Sequence, residues 1–554
     1  MNLSRYYNTI RYLEVSQLYY QLFYRFKSTI FRSQKLKDWL KKSSPTGKPT
    51  LLTNPVEEQF QRLNILPPDT FSFQNKTQKL AGNWFPKEQD LLWQFHLHYF
   101  DFLSEAVDTE VKAALIMQWI DEVPARHAIA WHPYPTSKRI CNWIWFYSRE
   151  RQNLEKSFRA QIRDSLYDQL SHLRNNLEFH LLGNHLIENL KALIVGGCFF
   201  DRYWTVRKGL LLLERELFEQ LEDDGGHFER SPMYHLIVLE ALYASARALV
   251  ESEREVPLWL KEGIHRMARY GDIIFYQNHF PLLNDSSEEV APPYALLRGE
   301  LQKMDLVTDP YIPHTLEHLK STGLVVYNSD PLALYFDVGP IGPDYLPGHA
   351  HNDTLGVLLY YQGEPILTDS GIYEYKEGEW RHYFRSARAH NVVLIDNEEP
   401  NDIWKSFRVG YRGGPFDVSV DDTEFAANDS AYKRLRIFWR RKVKVLEHNS
   451  GVEIEDLLVN SGKPRTCEWN FHLAPGCTFE GHSTDRKVTV RAPSSLLTIE
   501  LAQGDLQLEQ CSSWYSDEFG KKIERPCLRA SSSFPLGELR SRFRFTFEAT
   551  PKAL

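Results

Sequence analysis

Along the first half of the chain, apolar residues recur every three or four positions. LEKSFRAQIRDSLYDQLSHL (Leu154–Leu173), YWTVRKGLLLLERELFEQL (Tyr203–Leu221), YHLIVLEALYASARALV (Tyr234–Val250) and LKEGIHRMARYGDIIFY (Leu260–Tyr276) all keep this period. It predicts successive amphipathic or buried helices from about Glu88 to Leu319, joined by short polar loops. After Thr322 the period becomes two. GLVVYNSDPLALYFDVG, VKVLEHNSGVEIEDLLVNSG and RKVTVRAPSSLLTIELAQGDLQLEQ alternate or run β-branched, and turn clusters such as NSG, APSS and QGD separate them. A helical half followed by a strand half predicts a multidomain α+β protein with segregated domains. No low-complexity linker divides them, so the halves are expected to pack together and to form a binding cleft.

The chain has 554 residues, more than one ordinary core accommodates. A net charge of −8 argues against nucleic acid as the main partner, but a local basic cleft could still take a polyanion. Aromatic residues make up 13% of the chain, which fits either large helical cores or platforms for sugar rings. The six cysteines form no CxxC pair, so no zinc ribbon or dithiol motif is present. Cys477 with Cys511, or Cys467 with Cys527, are the pairings open in the second half.

The opening MNLSRYYNTIRYLEVSQLYYQLFYRFKS lacks the uninterrupted apolar core of a signal peptide. A cytoplasmic home is therefore expected, with a periplasmic or secreted one as the alternative. Arg5, Arg11, Arg25 and Lys27 alternate with Tyr, Leu and Phe, which reads as an amphipathic helix docked on the domain or touching a membrane surface. No window approaches the ~20 apolar residues of a membrane span.

Four segments break the apolar pattern with chemistry-bearing residues. In LLGNHLIENL, Asn184 and His185 open a helix after a glycine, where an N-cap or an anion site is expected. DDGGHFERSPMYH places His227, Glu229, Arg230, Tyr234 and His235 in a polar loop that runs into a helix, a connection or a site. WQFHLHYF and WHPYPTSKRICNWIWF offer His98, Tyr99, Tyr134, Arg139, Asn142 and Trp143 as stacking and donor groups, or as aromatic core with polar tips. PGHAHND, ILTDSG and FRSARAHNVV supply His349, His351, Asp369, Arg385, Arg388 and His390. Their spacing is not that of a finger, so they bind a metal only if neighbouring strands bring them together.

GNHLIEN, DGGHFERSPMYH, GHAHND, LTDSG and ARAHNVV, in that order, resemble the heparinase II/III-like polysaccharide lyases, a family that includes alginate and oligoalginate lyases. The resemblance runs from about Trp93 to Asp396 by motif. It implies an N-terminal (α/α) toroid followed by a C-terminal antiparallel β-sandwich, with boundaries at 1–85 (helical extension), 86–322 and 323–554. It further implies that Asn184 holds a uronate carboxylate with His185 beside it, that Tyr234 is the catalytic tyrosine, and that His349 reaches the cleft from the β domain. His351, Asp369 and His390 would hold a structural divalent metal, zinc first, with Mn or Ca as alternatives. His98, Tyr99, Tyr134, Arg139, Asn142, Trp143, His227, Arg230, His235, Arg385 and Arg388 are the expected substrate contacts.

The implied reaction is β-elimination of an anionic uronate polysaccharide. To act as base at neutral pH, Tyr234 would need positive charge nearby, for which Arg230, His235 and His349 are the candidates. The substrate expected is a glycosaminoglycan such as heparan sulfate, hyaluronan or chondroitin, then alginate. A glycoside hydrolase would instead need paired carboxylic acids, for which Asp223, Asp224 and Glu229 are candidates. A non-catalytic polysaccharide-binding protein is the third reading. A homodimer is one form the chain could take.

Overall fold

The computed structural model describes residues 3–30, 45, 47–60, 62–484 and 486–549. The expected helices form where the period of three to four put them. Lys156–Arg174 turns Phe158, Ile162, Leu166, Leu170 and Leu173 into the core and leaves its charged face outside. Gly183–Phe199 is buried along almost its whole length, with Asn184, Glu188, Asn189 and Lys191 on its polar positions and an unbroken apolar run after them. It packs against the helices Pro133–Glu150, Lys156–Arg174, Tyr203–Gln220 and Pro232–Glu251. That crowding demands glycine: a Cβ on Gly197 would lie 2.8 Å from Val206, and one on Gly196 2.8 Å from Leu170. Inside the ring, the Lys191 ammonium sits between Glu188 and Glu240, 2.9 Å from each, so its buried charge is compensated.

Pro232–Glu251 is long and apolar enough to cross a bilayer by length and composition, contrary to the sequence reading, but it is a core helix with most of its length buried. The segment before residue 86 is not simply helical either. It holds the helices Leu3–Ile10 and Val15–Ile30 and also a three-stranded sheet over Ile65–Leu66, Thr70–Phe73 and Lys76–Lys79. Ile65, Phe71 and Phe73 of that sheet belong to the same hydrophobic core as the toroid helices.

The strand half opens with a five-stranded antiparallel meander from Leu316 to Leu367. Its strands read as near-continuous apolar runs because both faces are covered. Val325, Tyr327, Leu332, Leu334, Phe336, Val357 and Leu359 face the sandwich core. Their neighbours Leu324, Val326, Ala333, Tyr335, Leu358 and Tyr360 pack with Met233, Tyr234, Tyr270 and Ile273 of the helical half. The period of two thus makes one sheet the mortar between domains. An eight-stranded and a four-stranded sheet complete the β domain. At its centre Arg441 is bidentate to Asp456 (2.9 Å each), which also accepts from the indoles of Trp439 and Trp469.

All six cysteines are free, and neither proposed pairing forms. Strand register instead sets Cys511 opposite Cys527.

Candidate active site

Asn184 lies in the first turn of its helix, but Leu182 is the N-cap, so the asparagine is not spent on capping. Its amide donates to both oxygens of Glu229, at 3.1 and 3.0 Å, and its backbone N–H donates to the same carboxylate at 3.1 Å. Gly183 has φ +59°, and a Cβ there would stand 2.4 Å from Glu229 Oε1, so glycine is required for this close approach. Glu229 Oε2 lies 3.7 Å from His349 Nε2. The His349 ring stacks on Tyr234, with centroids 4.0 Å apart. Amide, phenol and imidazole are therefore grouped around one buried carboxylate.

Two groups that sequence reasoning passed over organise this cluster. Asp285, on the loop between the helices Leu258–Ile274 and Tyr294–Lys303, accepts from His349 Nδ1 and His351 Nε2, each at 2.8 Å. Arg381 clamps the same carboxylate with both guanidinium nitrogens, one of them at 2.9 Å. Burial works to raise the Asp285 carboxyl, but Arg381 and the two imidazoles overrule it and hold it well below the usual carboxylate range. With Asp285 an ionised acceptor, its hydrogen bond places N–H on His349 Nδ1 and turns Nε2 toward Glu229 and the cleft.

Tyr375 is a third omission: its hydroxyl meets that of Tyr234 at 2.6 Å. Burial pushes the Tyr234 phenol well above its ordinary value, Asp285 and Glu229 push it further, and Tyr375 and Arg381 only partly oppose them. Of the three expected helpers, His349 lies against the Tyr234 ring, while Arg230 and His235 are elsewhere. Arg230 donates to the carbonyls of Thr322, Ser321 and Phe228 at the domain junction. His235 bonds the Met267 carbonyl, and burial holds it neutral at about 3.

Along one wall, the His185 ring lies 4.6 Å from Tyr134, and Tyr134 5.8 Å from Tyr99. His185 Nδ1 pairs with the buried Glu178 at 3.1 Å. Burial, then nearby charges that include Tyr234, raise both Tyr99 and Tyr134 well above 10. These three rings are the candidate sugar platform. His227 supports the cluster from behind: it bonds Gln220 at 3.1 Å, and burial pushes it down to about 4.

Several expected substrate contacts are structural instead. His98 is fully buried and accepts from the Trp119 indole, and Arg139 stacks over Trp119 while bonding Gln169 and the His98 carbonyl. Asn142 donates to the Tyr99 carbonyl and Asp101, and Trp143 is core. Arg385 is buried on the carbonyls of Ala350, Lys405 and Ser406. Arg388 is exposed and donates to Asn397. Side-chain direction on a packed helix decided these outcomes, and residue type alone does not reveal it. Of the candidate hydrolase acids, Asp224 accepts from Ser321 and Thr322, Asp223 is exposed, and Glu229 alone joins this cluster, where it accepts from Asn184.

His351, Asp369 and His390 converge, with one donor atom from each within 4.8 Å of the others and all three buried. Asp285 occupies His351 Nε2 and Asp369 occupies His390 Nδ1, at 2.9 and 3.0 Å. Among the described residues, His351 Nδ1 and His390 Nε2 are buried with no hydrogen-bond partner, and Asp369 on Nδ1 raises the His390 imidazole against its burial. Burial holds His351 near 4, in the neutral form that a metal needs. The donor set fits a small divalent cation.

Family models described as heparinase II/III N-terminus and heparinase II/III-like, C-terminal match residues 35–295 and 312–536. A heparin-sulfate lyase of Bacteroides stercoris is 26% identical over 307 residues, 51% of this chain. That match spans only 44% of the relative's length. Among solved structures, a heparinase III crystal structure superposes with a TM-score of 0.71 at 15% identity, covering 96% of this chain and 91% of that one. A heparan sulfate lyase mutant from Pedobacter heparinus gives 0.61 at 16% identity, covering 96% and 88%. At such identities these likenesses speak to the fold, an (α/α) toroid joined to a β-sandwich domain.

Proposed function

The chain belongs to the heparinase II/III family, and from that premise we propose that it cleaves a uronate-containing glycosaminoglycan by β-elimination, heparan sulfate first, with alginate as the alternative substrate. The observation that carries the reading is the grouping of Asn184, Tyr234 and His349 around Glu229.

The C5 proton of a uronate is hard to remove while its carboxylate is charged. A uronate carboxylate entering this site must have its charge neutralised before C5–H can break, and the Asn184 amide is the donor placed to do so. Asn184, bonded to that site, then stabilises the enolate-like charge that grows as C5–H breaks. When H5 and O4 lie on opposite faces, as in iduronate, His349 Nε2 takes H5 and the neutral Tyr234 phenol protonates O4. When they share a face, as in glucuronate, Tyr234 must first be deprotonated, then takes H5 and returns it to O4.

His351, Asp369 and His390 would hold a divalent ion, zinc before manganese or calcium because two imidazoles outnumber the single carboxylate. The ion would act as a structural clamp on the loop that carries His349. Asp285, bonded to His351 and His349 alike, passes that rigidity to the base.

The test is a panel of uronate polymers, read by the near-ultraviolet absorbance of the C4–C5 double bond. Tyr234→Phe is expected to abolish product on every polymer. His349→Ala should lower turnover of opposite-face units far more than same-face units. Polymer binding with no unsaturated product would sink the lyase reading, and equal loss for both epimers would sink the division of labour.

A further inference from the structure

The helices Leu3–Ile10 and Val15–Ile30 are amphipathic in the inverted sense. Leu3, Tyr7 and Ile10 share one face of the first, and Val15, Leu18, Tyr19, Leu22 and Phe26 one face of the second. These side chains are between 38 and 79% exposed, so the apolar stripe points to solvent. The polar and mixed face is the one turned to the protein. Arg5 forms a bidentate pair with Asp402 (2.9 and 2.6 Å), and Thr9 bonds the Val409 carbonyl and the Trp404 indole. Tyr20 stacks on Phe179 at 4.8 Å, and the Tyr24 hydroxyl donates to the Leu177 carbonyl. Folding therefore fixes the pair of helices across both domains with an apolar stripe on each turned outward, eight large apolar side chains in all.

Charge identifies the occupant. Residues 1–48 hold ten Lys and Arg against two Asp and Glu, a local charge of +8 in a chain whose total is −8. An apolar stripe that belongs to a basic stretch of sequence, on a protein that is otherwise acidic, matches an anionic lipid surface rather than a neutral one or a second copy of this acidic chain. We propose that this helical pair docks the protein peripherally on an anionic phospholipid bilayer. The inference does not depend on the lyase reading, but it has a consequence for it. The helices contact Leu177 and Phe179, which flank Glu178, and Gln17 reaches the Tyr345 carbonyl four residues before His349. A docked protein would hold its cleft beside the membrane surface, where it would meet polymer delivered there.

The experiment is co-sedimentation of the full chain with vesicles of phosphatidylcholine alone or with phosphatidylglycerol added. Binding is expected to be at least about tenfold stronger to the anionic vesicles and to fall as salt rises. The combined variant Leu18→Ser, Leu22→Ser, Phe26→Ser should lose binding while its melting temperature and elution volume stay those of the parent. Leu3→Ser, Tyr7→Ser, Ile10→Ser should do the same from the other helix. No binding to anionic vesicles, or undiminished binding by both variants, would overturn the proposal. So would a parent dimer that the variants convert to monomer without any vesicle binding, since a second copy would then be what covers the face.

Discussion

Tyr234 shows how environment assigns a role to a residue type. Its phenol is buried between Asp285 and Glu229, so it stays protonated well past its ordinary value, and only Tyr375 and Arg381 pull the other way. A group with a raised pKa is an acid over a wider pH range and a base only at high pH. Turnover of same-face units should therefore climb on the alkaline side as Tyr234 ionises. Turnover of opposite-face units should fall over the same range, because its acid is being lost. Parallel pH profiles of kcat on the two substrate types check this, and profiles that move together would refute it. Tyr375→Phe removes a hydrogen bond that lowers the Tyr234 pKa, so the same-face limb should shift to higher pH. At neutral pH the variant should lose kcat on same-face units, since a smaller fraction of Tyr234 is ionised there. An unchanged limb would mean that Tyr375 only fills space.

At the scale of elements, the periods of 3.6 and 2 were legible because burial enforces them along whole segments. Lys156–Arg174 needs no context to be read as a helix, and the meander strands needed only their apolar runs. Which polar side chain points inward was much less legible. Arg381 and Arg385 sit four apart in the same short helix, yet Arg381 holds the Asp285 carboxylate while Arg385 holds backbone carbonyls. Asp285, in LLNDSSEE, carried no signal beyond a polar break after an apolar run. The three candidate metal ligands show the same limit, because only the pairing of distant loops brings them together. An ion there would tie the His349–Asp353 loop to the segments that carry Asp369 and His390. Chelation followed by removal of the chelator is expected to lower the melting temperature, and added zinc to restore it with about one metal per chain by elemental analysis. His390→Ala should show the lower melting temperature without the response to zinc. Parent protein that holds no metal and melts unchanged after chelation would remove the ion from the account.

The whole molecule is held in register by contacts that cross between its halves, and Asp285 is the most charged of them. It belongs to the helical half and receives His349, His351 and Arg381, all from the β half. The apolar mortar of the five-stranded sheet resists separation but is indifferent to small sliding. The Asp285 cluster is directional, and it fixes His349 against Tyr234. Asp285→Asn keeps the shape while removing the charge, which leaves the Arg381 guanidinium, 2% exposed, without its counter-ion. Breaking one partner of a buried pair costs about 3–5 kcal/mol, and here the loss falls on the junction. The variant should therefore melt at lower temperature, and its calorimetric transition should broaden or split as the domains lose cooperativity. Its kcat should fall with little change in KM, because the amide no longer holds the proton on His349 Nδ1 while the sugar platform of Tyr99, Tyr134 and His185 is untouched. A variant that melts as one sharp transition at the parental temperature would show that the sheet alone joins the domains, and Asp285 would then be confined to orienting a single imidazole.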